Sequence, residues 1–229
     1  MKHLVFLTGA GMSAESGIST FRDSNGLWEE YDVMEVASIE GWYRNPDLIL
    51  KFYNDRRAQL NEVQPNEGHK IIAALEKDFQ VTVITQNVDD LHERAGSSHV
   101  VHLHGELTKA CNESKTQVYE IGTKAINPGD KAKDGSRLRP FIVWFGEAVP
   151  LIEKAAEIVF TADIVVIIGT SMQVYPAAGL IHYAKKNIPV YLIDPNPVNS
   201  SSLQVEIIKE KAGKGMAILR EKFITHHSS

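Results

Sequence analysis

The stretch Leu4-Val5-Phe6-Leu7-Thr8-Gly9-Ala10-Gly11-Met12-Ser13-Ala14 decides the fold. It opens with an apolar run without alternation, which predicts a short strand buried on both faces, as in a parallel sheet. The glycine-rich turn and helix start behind this run are typical of sites where backbone N–H groups approach a phosphate. A tight strand-to-helix turn without any ligand is the alternative, because the pattern Gly-x-Gly-x-x-Ala alone is weak evidence.

Other short apolar runs along the chain have the same character. They cover residues 81–85, 164–168 and 190–193, and helical patterns lie around them at residues 47–60, 66–77, 150–160 and 176–186. Strands that alternate with helices predict an α/β fold with a mainly parallel sheet. Residues 20–41 and 109–138 break the alternation. The second stretch is polar and contains several glycines, and it predicts an inserted small module or a long loop.

The composition indicates an ordinary globular protein, with 43% hydrophobic and 23% charged residues. A net charge of -5 gives no general attraction to nucleic acid, so we expect no nucleic-acid partner. The single cysteine, Cys111, excludes a disulfide within the chain and favours a reducing compartment. No apolar run approaches the ~20 residues that span a bilayer, and the apolar start is too short for a signal peptide. We therefore expect a cytoplasmic protein without a membrane partner. We also expect a monomer, which these features do not themselves establish.

A hydride-transfer enzyme is disfavoured by the sequence behind the glycine turn. A dinucleotide-binding fingerprint requires a second strand that ends in an acidic residue about 20 residues further on, to bind a ribose. Residues 27–32, Leu-Trp-Glu-Glu-Tyr-Asp, contain acids but do not have the pattern of a buried strand. The next apolar run begins only at Val81.

Longer motifs extend from the glycine turn through most of the chain. In order, they are Gly-Ala-Gly-Met-Ser-Ala-Glu-Ser-Gly-Ile-Ser-Thr-Phe-Arg at 9–22, Thr-Gln-Asn-Val-Asp-Asp-Leu-His at 85–92, Leu-His-Gly at 103–105, Leu-Arg-Pro at 138–140, Val-Trp-Phe-Gly-Glu at 143–147 and Gly-Thr-Ser at 169–171. In these motifs and their order the chain resembles the sirtuin family. The resemblance implies a single catalytic domain over residues 1–229, with a Rossmann-like parallel sheet and helices on both faces. It also implies a small inserted module from residues 20–78 and 109–138, with NAD and substrate in the cleft.

The resemblance implies that NAD is consumed while acyl groups are removed from protein lysines. The acyl oxygen attacks C1′ of the nicotinamide ribose and nicotinamide leaves. A base then activates a ribose hydroxyl to attack the imidate carbon, and the products are free lysine, O-acyl-ADP-ribose and nicotinamide. Histidine suits a base that works near neutral pH. The implied catalytic residues are His104, Asn87 and Asp89. A structural histidine is the alternative for His104, and we assign His92, His99 and His102 to structure by default.

The implied NAD contacts come from the glycine turn, the segment behind it and the ends of later strands. They are Gly9, Ala10, Gly11, Glu15, Thr20, Phe21, Arg22, Trp28, Gln86, Asn87, Val88, Asp89, Gly169, Thr170, Ser171, Asp194, Pro195, Asn196 and Ala212. The family usually has a triplet that begins with Asn where this chain has Asp194. Asn87 and Asp89 have an alternative role as caps of the next helix, and we expect Asp90 to be only a cap.

The resemblance also implies which groups bind the acylated peptide. The segment Val143, Trp144, Phe145, Gly146 and Glu147 matches the family's peptide-binding strip, with an aromatic core strand as the alternative. Tyr53 and Arg56 share one helix face, where a phenol and a guanidinium can grip a carboxylate. This pair resembles the branch that removes succinyl and malonyl groups, so we expect those substrates and acetyl-lysine. A solvated helix face is the alternative.

Most sirtuins bind zinc through four cysteines in the small module, and a structural zinc site needs about four Cys or His ligands. Residues 109–138 contain Cys111 and no histidine, so we predict no zinc and regard Cys111 as a relic or a surface thiol. Two other functions stay open. One is mono-ADP-ribosyl transfer to protein, and the other is non-catalytic sensing of NAD or ADP-ribose, which has no need of a base.

Overall fold

A computed structural model describes residues 1–18, 27–28, 31–170, 177–197 and 205–227. The strands are β1 His3–Thr8, β2 Leu27–Trp28, β3 Tyr31–Asp32, β4 Gln80–Thr85, β5 Val100–His102, β6 Gly105–Cys111, β7 Val118–Glu120, β8 Arg139–Ile142, β9 Ile164–Ile168, β10 Val190–Ile193 and β11 Glu206–Ile208. The α-helices are α1 Ala10–Ser13, α2 Val33–Val36, α3 Ile39–Arg44, α4 Pro46–Gln59, α5 Glu67–Ala74, α6 Leu91–Ala95, α7 Ile152–Thr161 and α8 Ala212–His227.

A parallel sheet forms the centre of the molecule. Among the described residues its order is β11-β10-β9-β1-β4-β5, and every pairing in it is parallel. β1 lies between β4 and β9, with Phe6 level with Val83 on one side and Val166 on the other. This central position explains why β1 has no polar alternation, since both of its faces are covered. The predicted α/β fold is confirmed.

Helices cover both faces of this sheet, as predicted. Leu4 and Phe6 point into a core that includes residues of α5 and α8. Val5 and Leu7 point the other way, into a core with α7 and the 3-10 helix Ala177–Tyr183. Successive residues of a strand face opposite sides, so one short apolar run builds both cores.

A second, smaller sheet lies outside the parallel one. It is antiparallel in the order β7-β6-β8, and its core includes residues of α3, α4 and Trp144. Asn54 on α4 fixes the long connection before β8, because its side chain donates to Ile126 O at 2.9 Å and accepts from Ile126 N at 3.0 Å. The stretch 109–138, which has little apolar pattern, is thus ordered by turns and backbone pairing. Its division from the rest of the chain as a module stays a prediction.

One helical prediction needs correction. The pattern at residues 176–186 gives a 3-10 helix, Ala177–Tyr183, where the sequence predicts an α-helix. The α-helix α8, which the sequence pattern does not predict, continues by its backbone to His227. Two glycines in the first turn of α8, Gly213 and Gly215, interrupt its helical sequence pattern. One of them is required for packing, since a Cβ on Gly215 would lie 2.2 Å from Ile193 Cγ2. Within the described ranges no helix is long and apolar enough to cross a membrane.

We expect Gly169→Ala to destabilise the protein far more than Gly122→Ala. Both glycines have a left-handed backbone, with φ of +59° and +58°, which costs an alanine about 1 kcal/mol. A Cβ on Gly169 would also lie 2.4 Å from backbone atoms of Gly11 and Met12, whereas nothing lies within 4 Å of one on Gly122. Urea unfolding should show an extra loss of about 2 kcal/mol for Gly169→Ala. Equal losses would contradict this close packing.

Candidate functional site

The glycine turn packs against the end of β9 at the carboxyl edge of the parallel sheet. Gly9 N donates to Ile168 O at 3.0 Å, and Gly11 N donates to Gly169 O at 2.8 Å. The glycines therefore allow the two turns to pack together. Ala10, directly after Gly9, begins α1. Ligands of open α/β sheets bind outside this edge, so the turn lies where the sequence predicts.

Buried polar groups meet just beside the glycine turn. Asn87 Nδ2 donates to Ser13 Oγ at 3.0 Å, and the Ser13 hydroxyl donates to Asp89 Oδ2 at 2.9 Å. Asn87 and Asp89 are 8% and 6% exposed. Burial raises the pKa of Asp89, against the opposing effect of its bonds to Ser13 and Leu91 N. Sequence reasoning missed Ser13, although it lies inside the glycine motif.

The capping alternative is partly right. Asp89 Oδ1 accepts from Leu91 N at 3.2 Å, so Asp89 holds the start of α6. Asp90 occupies the N-cap position but makes no side-chain cap bond, so the prediction that Asp90 caps the helix is wrong. Its carboxylate instead lies 3.5 Å from Arg94 Nη1. One carboxylate, that of Asp89, thus links α1 to α6 next to Asn87.

His104 directs one ring nitrogen at the turn after β4. Its Nδ1 lies 3.1 Å from Gln86 O, which can only accept, so Nδ1 carries the proton and the neutral ring keeps its lone pair on Nε2. Burial lowers the pKa of His104, against the opposing effect of the bond to Gln86. The side chain of Gln86 continues to the end of β9, donating to Thr170 Oγ1 at 3.1 Å.

Two further carboxylates lie near the site, one at the start of α8 and one after the end of β10. Glu15 Oε2 accepts from Gly213 N at 2.8 Å, next to buried Ala212 at the start of α8. Asp194 is buried, and its Oδ1 accepts from Asn196 N at 2.8 Å across Pro195. Other predicted NAD contacts, Thr20, Phe21, Arg22 and Ser171, lie outside the described residues. Of Trp28 only the backbone, in β2, is described.

The predicted peptide-binding segment follows the end of β8, and much of its backbone pairs within the protein. Val143 N donates to His104 O at 2.9 Å, and Phe145 N donates to Ala37 O at 2.8 Å. Trp144 is 2% exposed, so the aromatic-core alternative is right for that residue, whereas Phe145 is 41% exposed. Gly146 comes next, with a φ of +89°.

A partly buried charge network supports this segment. Glu147 accepts from Trp144 N at 2.9 Å and from Arg139 Nη1 at 2.9 Å, and it pairs with Lys115 at 2.7 Å. The guanidinium carbon of Arg139 lies 3.7 Å from the centre of the Trp144 ring. Burial would raise the pKa of Glu147, but these partners lower it overall. The carboxylate of Glu147 thus binds groups of the protein itself. The motif Leu-Arg-Pro is the sequence signal for Arg139, although it predicts no role for that residue.

Tyr53 and Arg56 are buried on α4, with 1% and 3% of their surfaces exposed. The alternative of a solvated helix face is therefore wrong. The Tyr53 hydroxyl accepts from Trp144 Nε1 at 3.0 Å, and burial raises its pKa. Arg56 Nη2 donates to Gln59 Oε1 at 3.3 Å, with its guanidinium 5.2 Å from the centre of the Phe52 ring. Tyr53 is thus joined to the peptide-binding segment through Trp144.

Polar bonds hold together the region where a zinc site is expected in most sirtuins. Buried Asn112 donates through Nδ2 to Asp134 Oδ2 at 2.7 Å and to Ser114 Oγ at 2.9 Å. Cys111 is buried, and burial raises its pKa to about 11, so the expectation of a surface thiol is wrong. In the part of the chain that the structure describes, no group of three or more His, Cys, Asp or Glu could hold a metal ion.

Comparison with known proteins gives a consistent result. Residues 9–176 match the Sir2 family. A protein of Bacteroides thetaiotaomicron named NAD-dependent protein deacylase is 58% identical, over 98% of this chain and 99% of its own. A Helicobacter pylori protein of the same name is 56% identical, over 98% of each chain.

Solved structures agree with the sequence relatives. A Sir2 homologue in complex with NAD superposes with a TM-score of 0.88 at 39% identity, covering 98% of this chain and 90% of that one. A mutant Sir2 homologue in complex with ADP-ribose gives a TM-score of 0.90 at 38% identity, covering 99% and 94%. With residues 9–176 matching the family and with relatives that are 58% and 56% identical over nearly the whole chain, this chain belongs to the Sir2, or sirtuin, family.

Proposed function

We propose that this protein removes acyl groups from protein lysines and consumes NAD, with His104 as the base. The observation that carries the proposal is the bond between His104 Nδ1 and Gln86 O, at 3.1 Å, which leaves the Nε2 lone pair available to accept a proton. The same turn holds Asn87 and Asp89 beside the glycine turn. A non-catalytic sensor has no use for a histidine held in this tautomer.

The residues at the carboxyl edge fit NAD as the co-substrate. A buried carboxylate and a buried amide suit ribose hydroxyls and a carboxamide, and glycine backbone suits close approach of a pyrophosphate. Bound NAD supplies an electrophilic ribose carbon and a leaving group, nicotinamide. Asn87 and Asp89 bind and orient the nicotinamide-ribose end. His104 Nε2 takes a proton from a ribose hydroxyl, which then attacks the imidate carbon of the acyl group. A water molecule adds to the same carbon as the lysine amine leaves, so O-acyl-ADP-ribose and free lysine are the products.

The peptide binds beside the segment 143–147. The backbone N–H groups of Trp144 and Phe145 already donate within the protein, so we assign peptide pairing to Gly146 and to the carbonyl of Val143. Phe145, 41% exposed, provides an apolar contact. Glu147 acts indirectly, because its carboxylate holds Arg139 and the backbone of Trp144.

The favoured acyl groups are succinyl and malonyl, with acetyl accepted as well. Tyr53 and Arg56 support this choice because both are buried, and a buried guanidinium attracts a carboxylate more strongly than an exposed one. The bond from Trp144 to the Tyr53 hydroxyl connects the peptide-binding segment with the acyl pocket. The predictions of a cytoplasmic monomer, without zinc and without a nucleic-acid partner, stand on the sequence alone.

We expect Arg56→Met to lower kcat/KM for a succinyl-lysine peptide by about 10- to 100-fold, because a charge-assisted hydrogen bond contributes about 1.5–3 kcal/mol. Activity on the acetyl-lysine version of the same peptide should change less than about 3-fold. Arg44→Met, an exposed arginine of α3, is the matched control and should leave both activities intact. Steady-state assays with NAD in excess measure kcat/KM for both peptides. Unchanged desuccinylation in Arg56→Met would remove the pocket assignment.

A further inference from the structure

Behind the turn that carries Asn87 and Asp89 lies a second histidine, His102, for which the sequence predicts only a structural role. We propose that His102 is a positioning residue, held as a doubly protonated imidazolium between Glu93 and the backbone of Asn87, and that it keeps the NAD-binding turn in its active geometry. This inference rests on the proposed function, since it concerns the regulation of the same site by pH.

The partners of His102 determine its protonation state. Its Nδ1 lies 3.0 Å from Asn87 O, and its Nε2 lies 2.8 Å from Glu93 Oε1. Both partners only accept, while a neutral imidazole has a single N–H to donate. A neutral ring would therefore set a lone pair against an acceptor oxygen on one side. Only the cation satisfies both contacts, and its charge also balances that of Glu93.

The turn depends on this contact because its successive carbonyls are fixed one by one. Gln86 O accepts from His104, Asn87 O accepts from His102, and Val88 O accepts from Leu107 N at 2.8 Å. The peptide planes fixed in this way direct the Asn87 and Asp89 side chains at Ser13. Without its N–H donor, the buried carbonyl of Asn87 would lose its partner, and the plane between Asn87 and Val88 would be free to rotate.

The electrostatic surroundings favour the cation. Burial alone would lower the pKa of His102, but the hydrogen bond and the attraction of Glu93 raise it overall, with smaller help from Glu106 on β6. The other groups that face it are Asp89, whose pKa it lowers, and His92, a neighbour on α6 that is itself held neutral by burial. The Glu93 side chain is 41% exposed, so protons can exchange with water.

Protonation of the two histidines thus has opposite effects on activity. His104 must be neutral to accept a proton, and its pKa is lowered, so activity falls as pH drops through that lowered pKa. His102 must be charged, and its pKa is raised, so its contribution is present at the ordinary histidine pKa of about 6.5 and is lost as pH rises through the raised value. Together they define a pH window for the reaction.

The test combines three variants and one control variant with one spectroscopic measurement. His102→Leu should weaken ADP-ribose binding and lower kcat/KM by at least about 10-fold, while His102→Asn, whose amide can still donate to Asn87 O, should recover most of the loss and remove the alkaline limb. Glu93→Gln should move the alkaline limb of kcat/KM to lower pH. Glu157→Gln, an exposed glutamate of α7, is the control and should leave the limb in place.

Ring 15N chemical shifts of His102 in the protein without ligand report its protonation directly and need no activity. We expect two protonated ring nitrogens at pH 6.5 and a titration above that value. A neutral ring at pH 6.5, or an alkaline limb unmoved by Glu93→Gln, would overturn the proposal. If the wild type turns over no peptide, the proposed function fails. The 15N shifts and the pH dependence of ADP-ribose binding then still decide the role of His102.

Discussion

His104→Ala should lose NAD-dependent deacylation by about 10²- to 10⁴-fold, the usual contribution of a general base. The base acts only after nicotinamide has left, so the variant should still release nicotinamide in a first turnover with acyl-lysine peptide and NAD. Rapid-quench mass spectrometry separates these two steps by measuring nicotinamide and deacylated peptide at the same times. A release of nicotinamide without deacylation would place His104 in the second step.

The control for His104→Ala is His99→Ala, an exposed histidine close by in the chain, which should keep full activity. Urea unfolding of both variants separates chemistry from folding. Because burial lowers the pKa of His104, the acid limb of kcat/KM in the wild type should fall below the ordinary histidine value of about 6.5. Full deacylation by the folded His104→Ala variant would contradict the assignment of the base.

Asp89→Asn is the second variant for which we expect a large effect, a loss of about 10²-fold or more in kcat/KM. The carboxylate accepts from the Ser13 hydroxyl at 2.9 Å and from Leu91 N at 3.2 Å. An amide supplies one acceptor and one donor group, so either Ser13 or the start of α6 would meet an N–H where it now meets an oxygen. The turn would distort and its grip on NAD would weaken.

Asp90→Asn provides a matched comparison for Asp89→Asn. It is the same change at the next residue, where the carboxylate makes no cap bond and lies 3.5 Å from Arg94. We expect it to keep activity within about 3-fold and to cost less than about 0.5 kcal/mol of stability. Calorimetric titration with ADP-ribose, together with steady-state assays, measures the effect. Similar behaviour of the two variants would contradict a special role for Asp89.

The central fold can be predicted from sequence because the residue pattern of each element agrees with its position in the fold. Strand β1 is buried on both faces and therefore has to be continuously apolar. The strands of a parallel sheet have to alternate with helices along the chain. The apolar run and the alternation are both visible in the sequence. α8 was missed because Gly213 and Gly215 interrupt its first turn, and the reason for Gly215 is a neighbour distant in sequence, Ile193. β5 and β11, three residues each, are too short to show a pattern.

The sequence can propose residues of the candidate site where motifs name them directly, and it misses those whose partners meet only in space. His104, Asn87 and Asp89 lie in motifs of the family, whereas Ser13, Arg139 and the contact between His102 and Glu93 become evident only when strands and turns come together. Cys111 shows the same limit. The absence of other zinc ligands from residues 109–138 leads to the expectation of a relic or a surface thiol, but Cys111 is buried and faces Pro140 O across the antiparallel sheet at 3.8 Å.

The most direct measurement of the proposed function monitors the purified protein with NAD and matched succinyl-, malonyl- and acetyl-lysine peptides by mass spectrometry. We predict that nicotinamide and deacylated peptide appear in equal amounts, fastest with the acidic acyl groups, and that His104→Ala abolishes peptide deacylation. Intact peptide in the presence of NAD, with the ADP-ribose moiety instead attached stably to a protein acceptor, would contradict the deacylase assignment and establish ADP-ribosyl transfer.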